Sequence, residues 1–209
     1  MNSKKKEFPN DTLSWIPGGG CTAKPKFMLL FINPTARNLS SDPAWQGVCF
    51  PWIGVLHFWK WLQSAGFFDA ELVQRMTTKG WSSELAQEVL EYLEKNKLYI
   101  TNIVKRTGHD AALPNATLRK LFLPLLKKEI ELVQPERIIA FGLLPYEALT
   151  NKKIKLGEYY STVISLGKLQ AHDANLANVK VIPCYFPMGR GSPKKAREIL
   201  QLLNKNNRF

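Results

Sequence analysis

The sequence predicts a three-layer α/β fold: a central, mainly parallel four-stranded sheet with helices on both faces. Three observations carry that expectation. Short apolar runs alternate with longer amphipathic stretches, the rhythm of a strand–helix repeat. The apolar runs are nearly continuous rather than alternating, as buried parallel strands require. The runs also stop abruptly on polar or glycine residues, most clearly at 27–37, FMLLFINPTAR. No internal repeat or domain linker divides the chain, so its 209 residues read as one domain, 1–209, with 1–24 as a flexible or loosely packed lead-in.

The elements follow in order. Residues 27–32 form the first strand, and 34–52 form a long loop with no clear period. Structureless loops of that length in a compact domain are usually functional. Residues 55–65 read as a helix closed by Gly66, and 82–95 as an amphipathic helix with Leu85, Val89, Leu90 and Leu93 on one face. The second strand, 98–104, carries Asn102, and the polar loop 105–115 leads to a helix at 117–133. The third strand is 137–141, and Gly142 opens a short helix through residue 148. Residues 152–178 suggest an irregular hairpin with a strand at 162–166. The fourth strand is 179–184, the loop 186–192 follows, and Pro193 starts the last helix, 194–204. Right-handed crossovers make these strands mainly parallel.

Composition narrows the classes. Hydrophobic residues make up 45% of the chain, which suits a globular core. No apolar run reaches the roughly 20 residues of a membrane span. The opening MNSKKKEFPND is basic but lacks the apolar core of a secretory signal. Cys21, Cys49 and Cys184 are scattered and contain no C-x-x-C pair, so neither a zinc site nor a disulfide framework is expected. These features point to a reducing cytoplasm, with nucleoid association if the source is bacterial, and to a chain without metal or cofactor; a monomer is the default expectation. Lys and Arg number 29 against 17 Asp and Glu, a net charge of +12 that suits a polyanionic partner. The basic residues crowd the N-terminal tail, the Lys105-Arg106 loop, 152–155, and 190–197 at the start of the last helix. Helix starts commonly hold phosphates.

In open α/β sheets, ligands bind outside the carboxyl ends of the strands. Asn33, the aromatic pair Phe50 and Trp52, Asn102, and the loop FPMGRGSP (186–193) all fall on that rim. Two amides, an aromatic platform and an arginine-tipped loop suit a flat, polar heterocycle beside a polyanion. An amide offers a nucleobase edge both a donor and an acceptor.

In this order the motifs resemble those of the uracil-DNA glycosylase superfamily, nearest to its mismatch-specific and single-strand-selective branches. Phe31-Ile32-Asn33-Pro34-Thr35 resembles the GINPG or GMNPG motif. Gly47–Trp52, GVCFPW, resembles the short aromatic stretch that follows it, and Phe58-Trp59-Lys60 with Ala65-Gly66-Phe67-Phe68-Asp69 resembles the next helix. Thr101-Asn102-Ile103-Val104-Lys105 is similar to the TNxVK segment. Glu129-Ile130, Pro135 and Phe141-Gly142 follow the family's order, and Phe186-Pro187-Met188-Gly189-Arg190 stands where HPSP, HPSG or NPSG is usual.

The resemblance implies an enzyme that flips uracil or a related deaminated base out of DNA and hydrolyses its N-glycosidic bond. By position, Asn33 would hold the attacking water, Phe50 would stack on the base with Trp52 as second choice, and Asn102 would read the base edge. Phe186 would line the base pocket in place of a histidine donor. Arg190 would fill the gap left by the flipped base, with Gly189, Ser192, Lys194 and Lys105 contacting DNA. His57 reads as structural, while His109, in the loop after Asn102, is placed to approach the pocket or the DNA. Phe186 and Thr35 also admit a weak or inactive nucleic-acid-binding relative. A nucleotide or nucleoside hydrolase is the other rival, but it finds no Walker-type loop, because Gly18–Gly20 lacks the following lysine and helix.

Overall fold

A computed structural model describes residues 14–108 and 112–206. Its sheet has six strands: β1 Gly19–Gly20, β2 Phe27–Phe31, β3 Leu98–Asn102, β4 Arg137–Phe141, β5 His172–Asp173 and β6 Lys180–Cys184, in the order β1-β3-β2-β4-β6-β5. The four expected strands are the parallel centre, and the two-residue strands β1 and β5 add antiparallel edges. Within the parallel centre the chain starts at β2, steps to one side for β3 and to the other for β4. That reversal makes the carboxyl ends of the central strands a topological switch point, the place where ligands bind in such sheets, and Asn33 leaves β2 there.

Strand alternation sorts the core into two layers. Phe27, Leu29 and Phe31 point to the face covered by α1 Leu56–Ser64, α2 Ala70–Lys79, α3 Ser83–Lys95, α6 Leu156–Leu166 and α7 Pro193–Asn206. Met28 and Leu30 point to the other face, covered by α4 Ala116–Val133 and α5 Leu143–Thr150. With the sheet between them, these helices make the three layers.

Three stretches differ from expectation. Residues 156–166 form helix α6 rather than a hairpin strand, because Tyr159 and Val163, four apart, bury one helical stripe against the core. Helix α2 has no counterpart among the expected elements; Asp69 caps it by accepting from the Leu72 N–H at 2.9 Å. Residues 14–24 are packed rather than loose. The Ile16 N–H donates to the Lys105 carbonyl and that of Cys21 to the Leu98 carbonyl, both at 2.8 Å, and both side chains are buried. The Gly18–Gly20 run supplies the edge strand β1. A Cβ at Gly19 would collide with the Phe50 side chain, so glycine is what permits this approach.

Candidate active site

Asn33 follows β2 in a half-buried position. Its Nδ2 donates to the Pro34 carbonyl at 3.0 Å. That bond fixes the amide and leaves Oδ1 as the acceptor end. The adjoining backbone is paired with the strand leaving β3. The Ile103 N–H donates to Phe31, that of Val104 to Ile32, and that of Gly108 to Pro34, at 2.8–3.0 Å. Asn102 therefore leaves its strand beside Phe31, with its side chain on the same face. It is 2% exposed, and its Nδ2 is buried without a hydrogen-bond partner among the described residues. A buried N–H without an acceptor is costly, about 1–3 kcal/mol, and such a group in a folded protein calls for an explanation.

The aromatic residues divide. Phe31, at the end of β2, stacks on Phe141 with centroids 4.5 Å apart. Trp52 meets Phe31 edge-on at 5.0 Å and stacks on Phe58 at 4.3 Å, and Phe186 lies 6.2 Å from Trp52 and 6.3 Å from Phe31. Trp52 and Phe186 are both half-buried, so this cluster reaches the rim. Phe50 stands apart: it is fully buried, with its ring against Trp59. Trp52 has φ +75°, a conformation that a bulky L residue adopts only when its surroundings impose it. Here the Trp59 indole N–H and the Val55 N–H both donate to its carbonyl, at 2.9 and 3.0 Å.

A polar clasp joins the Asn33 corner to this aromatic segment, and nothing in the sequence marked it. Asn38, 3% exposed, donates through Nδ2 to the Phe50 carbonyl and accepts from the Ser40 N–H through Oδ1, both at 3.0 Å. Ser40 Oγ lies 3.3 Å from both the N–H and the carbonyl of Phe50. The Leu39 N–H donates to Ile53 and that of Asn38 to Thr35, each at 2.9 Å. An Asn-x-Ser in a long polar loop looks like turn chemistry. Only the fold shows that it grips the start of the turn at 50–54.

The loop 186–192 is closed on itself. The Ser192 N–H donates to the Phe186 carbonyl at 3.0 Å and that of Gly191 to Met188 at 2.9 Å. A Cβ at Gly191 would run into the Phe186 carbonyl, so the turn requires glycine. Gly189, Arg190 and Lys194 are exposed around this turn, and Ser192 is half-buried just before α7.

Lys105 does not belong with these surface groups. Its ammonium is buried, pairs with Glu129 and bonds to Thr101 on the opposite face of the sheet. Burial pushes its pKa below the usual lysine value, against the pull of Glu129. A cation enclosed in this way has no open side for a DNA phosphate. His109 lies outside the described residues. His57 is exposed on α1, and His172 on β5 bonds through Nδ1 to the Tyr146 hydroxyl at 2.8 Å.

The rim thus brings together a fixed acceptor, a buried amide donor, aromatic faces and an arginine-tipped turn. Over residues 17–205 the sequence matches the uracil DNA glycosylase superfamily, and the chain belongs to that family. Membership supports a broadly uracil-DNA-glycosylase-like function with DNA as the partner. No curated protein matches the chain. Among the described residues no helix is long and apolar enough to cross a membrane.

Proposed function

We propose that the chain is a monofunctional DNA glycosylase that takes uracil or a related deaminated base from DNA and cleaves its N-glycosidic bond with water. The observation that carries this reading is the buried Nδ2 of Asn102, which has no partner among the described residues. That N–H calls for an acceptor from outside. Deaminated bases carry a carbonyl where their parents carry an amino group, so they satisfy the donor and the parent bases oppose it.

Water attacks the anomeric carbon as the bond to the base nitrogen breaks. The bonding electrons leave with the base, and the water's proton passes to solvent. An amide cannot take that proton, so Asn33 acts by aiming the water through Oδ1. Trp52 is the better platform than Phe50. Its ring reaches the rim beside Phe186, whereas Phe50 is enclosed by the core. Stacking on it repays part of the few kcal/mol that flipping costs. Phe186 supplies no donor to the negative charge building on the leaving base. The main-chain N–H groups of Met188 and Gly189 take that part, and turnover is slow. Arg190 fills the gap in the duplex, and Lys194 meets phosphate.

The missing donor at Phe186 also favours a second reading, a DNA-binding relative with little base release. Oligonucleotides carrying U opposite G, U opposite A, or U in a single strand separate the two, with abasic sites revealed by alkali. Base release that disappears in Asn33→Ala supports the enzyme. Retained binding without release from a folded protein selects the second reading.

A further inference from the structure

We propose that Trp15 is a stacking platform for an unpaired base of single-stranded DNA flanking the target nucleotide; this rests on the glycosylase reading. Trp15 is 56% exposed, the one aromatic among the large exposed apolar side chains of the described residues. A lone exposed apolar residue is ordinary. Trp15 differs in how firmly it is held and where.

Its backbone is stitched to the loop leaving Asn102. Trp15 bridges Arg106 in antiparallel fashion, and the Ile16 N–H donates to Lys105 at 2.8 Å. The Thr107 N–H and Oγ1 both donate to the Ser14 carbonyl, at 3.0 and 2.9 Å. Ser14 Oγ donates to the Ser41 carbonyl at 3.0 Å, in the loop that follows Asn33. The ring rests against Phe122, with centroids 5.1 Å apart at 40°. An exposed ring held by backbone and underside alike loses little freedom on binding.

The same loop pairs onward with the Asn33 corner, since Thr35 bridges Gly108 in parallel fashion. Trp15 therefore lies two strand spacings across and two residues along from Thr35, roughly 12 Å. At about 3.4 Å per stacked nucleotide, that span corresponds to a base a few positions from the flipped one. Exposed Arg37 lies in the loop that follows Asn33, and the +12 charge of the chain as a whole favours a phosphate backbone as partner. A flat π-face that makes no base-specific contact fits any unpaired base. In a duplex the neighbouring bases are already stacked and paired, so the platform favours single strands.

The test uses the full chain in an Asn33→Ala background, so that a uracil-containing oligonucleotide stays intact. Binding is read by fluorescence anisotropy for Trp15, Trp15→Ala and Trp15→Phe. The oligonucleotides include versions in which single flanking nucleotides carry no base. The expected result is a loss of about 5- to 150-fold in single-strand affinity for Trp15→Ala, the range of one base–aromatic stack. Trp15→Phe retains most of the affinity, duplex binding falls less, and the loss vanishes when one particular flanking base is absent. Unchanged affinity in Trp15→Ala overturns the assignment, as does a loss that is the same for every base-less oligonucleotide. If Trp15→Ala binds normally while the wild-type chain still releases uracil, only the Trp15 assignment falls. If the wild-type chain neither binds DNA nor releases base, both readings fall together.

Discussion

Lys105 and Glu129 form an ion pair on the back of the strand that ends in Asn102. Thr101 Oγ1 and the Tyr99 hydroxyl donate to the same carboxylate, both at 2.9 Å. The network ties α4 to β3 directly behind the residue proposed to read the base. Removing one partner leaves a buried charge without compensation. Glu129→Leu and Lys105→Met are each expected to destabilise the fold by about 3–5 kcal/mol, while the double substitution recovers much of that loss. Urea unfolding of the three variants checks this; additive losses would contradict the pairing.

Asn38→Ala removes both ends of the clasp on Phe50. It leaves the Phe50 carbonyl and the Ser40 N–H short of partners, at a cost of about 1–3 kcal/mol. The larger effect falls on Trp52, whose strained backbone depends on that segment staying in place. Amide hydrogen exchange over 50–54 should accelerate. Base release should slow more than the stability loss explains. Wild-type exchange in this segment would rule the clasp out.

Asn33→Asp replaces the amide proposed to orient the water with a base that would also stabilise positive charge on the sugar. The expected gain in base release is on the order of 10²-fold. It should appear only above the carboxylate's titration, near pH 4 in an unperturbed aspartate, and fade as the pH falls through it. Single-turnover release against pH measures this. The Pro34 carbonyl now facing Asn33 Nδ2 would repel a carboxylate oxygen, so the side chain must rotate, which holds the gain at the lower end.

Phe186→His places a donor beside Trp52. If the ring reaches the departing base, release should rise by up to about 10²–10³-fold, the contribution of one donor to developing negative charge. DNA affinity should change little. A parallel rise in affinity with no change in the chemical step would show that residue 186 does not face the leaving group.

His172 links stability to pH. Burial lowers its pKa below the usual value near 6.5, nearby Lys152 acts in the same direction, and Asp173 opposes them. The unfolded chain therefore binds the proton more readily. The contribution of His172 is complete above the unfolded pKa and drains away as the pH falls towards the lowered folded value. Melting temperatures at pH 7.5 and pH 5 should diverge more for the wild-type chain than for His172→Gln.

The parallel strands are legible because the apolar runs are broken by polar or glycine residues, Asn33 after the first, Asn102 within the second and Gly142 after the third; β3 stops at Asn102 rather than at 104. The same interruptions located the rim. Phe50 and Trp52 sit two apart in GVCFPW, and nothing local says which ring faces outwards. The choice is made at a distance, where the bare backbone of Gly19 leaves room for Phe50 beneath the sheet edge. Lys105 looked like surface charge because its partner, Glu129, lies 24 residues away on another element. The β-branched run in 162–164 favours a strand locally. Burial of Tyr159 and Val163 overrides that preference.

The two short outer strands have a consequence for how molecules of this protein meet. A bare parallel sheet of apolar strands would offer long rows of unpaired N–H and carbonyl groups, a template for another chain. Here one flank closes on Gly19–Gly20, tucked beneath Phe50 and α3, and the other on His172–Asp173, where Asp173 pairs with Lys180 at 2.7 Å. Two residues are too short a template for stable strand addition, and charge at the rim discourages it further. The fold guards itself against edge-to-edge aggregation while leaving the carboxyl ends of its strands open.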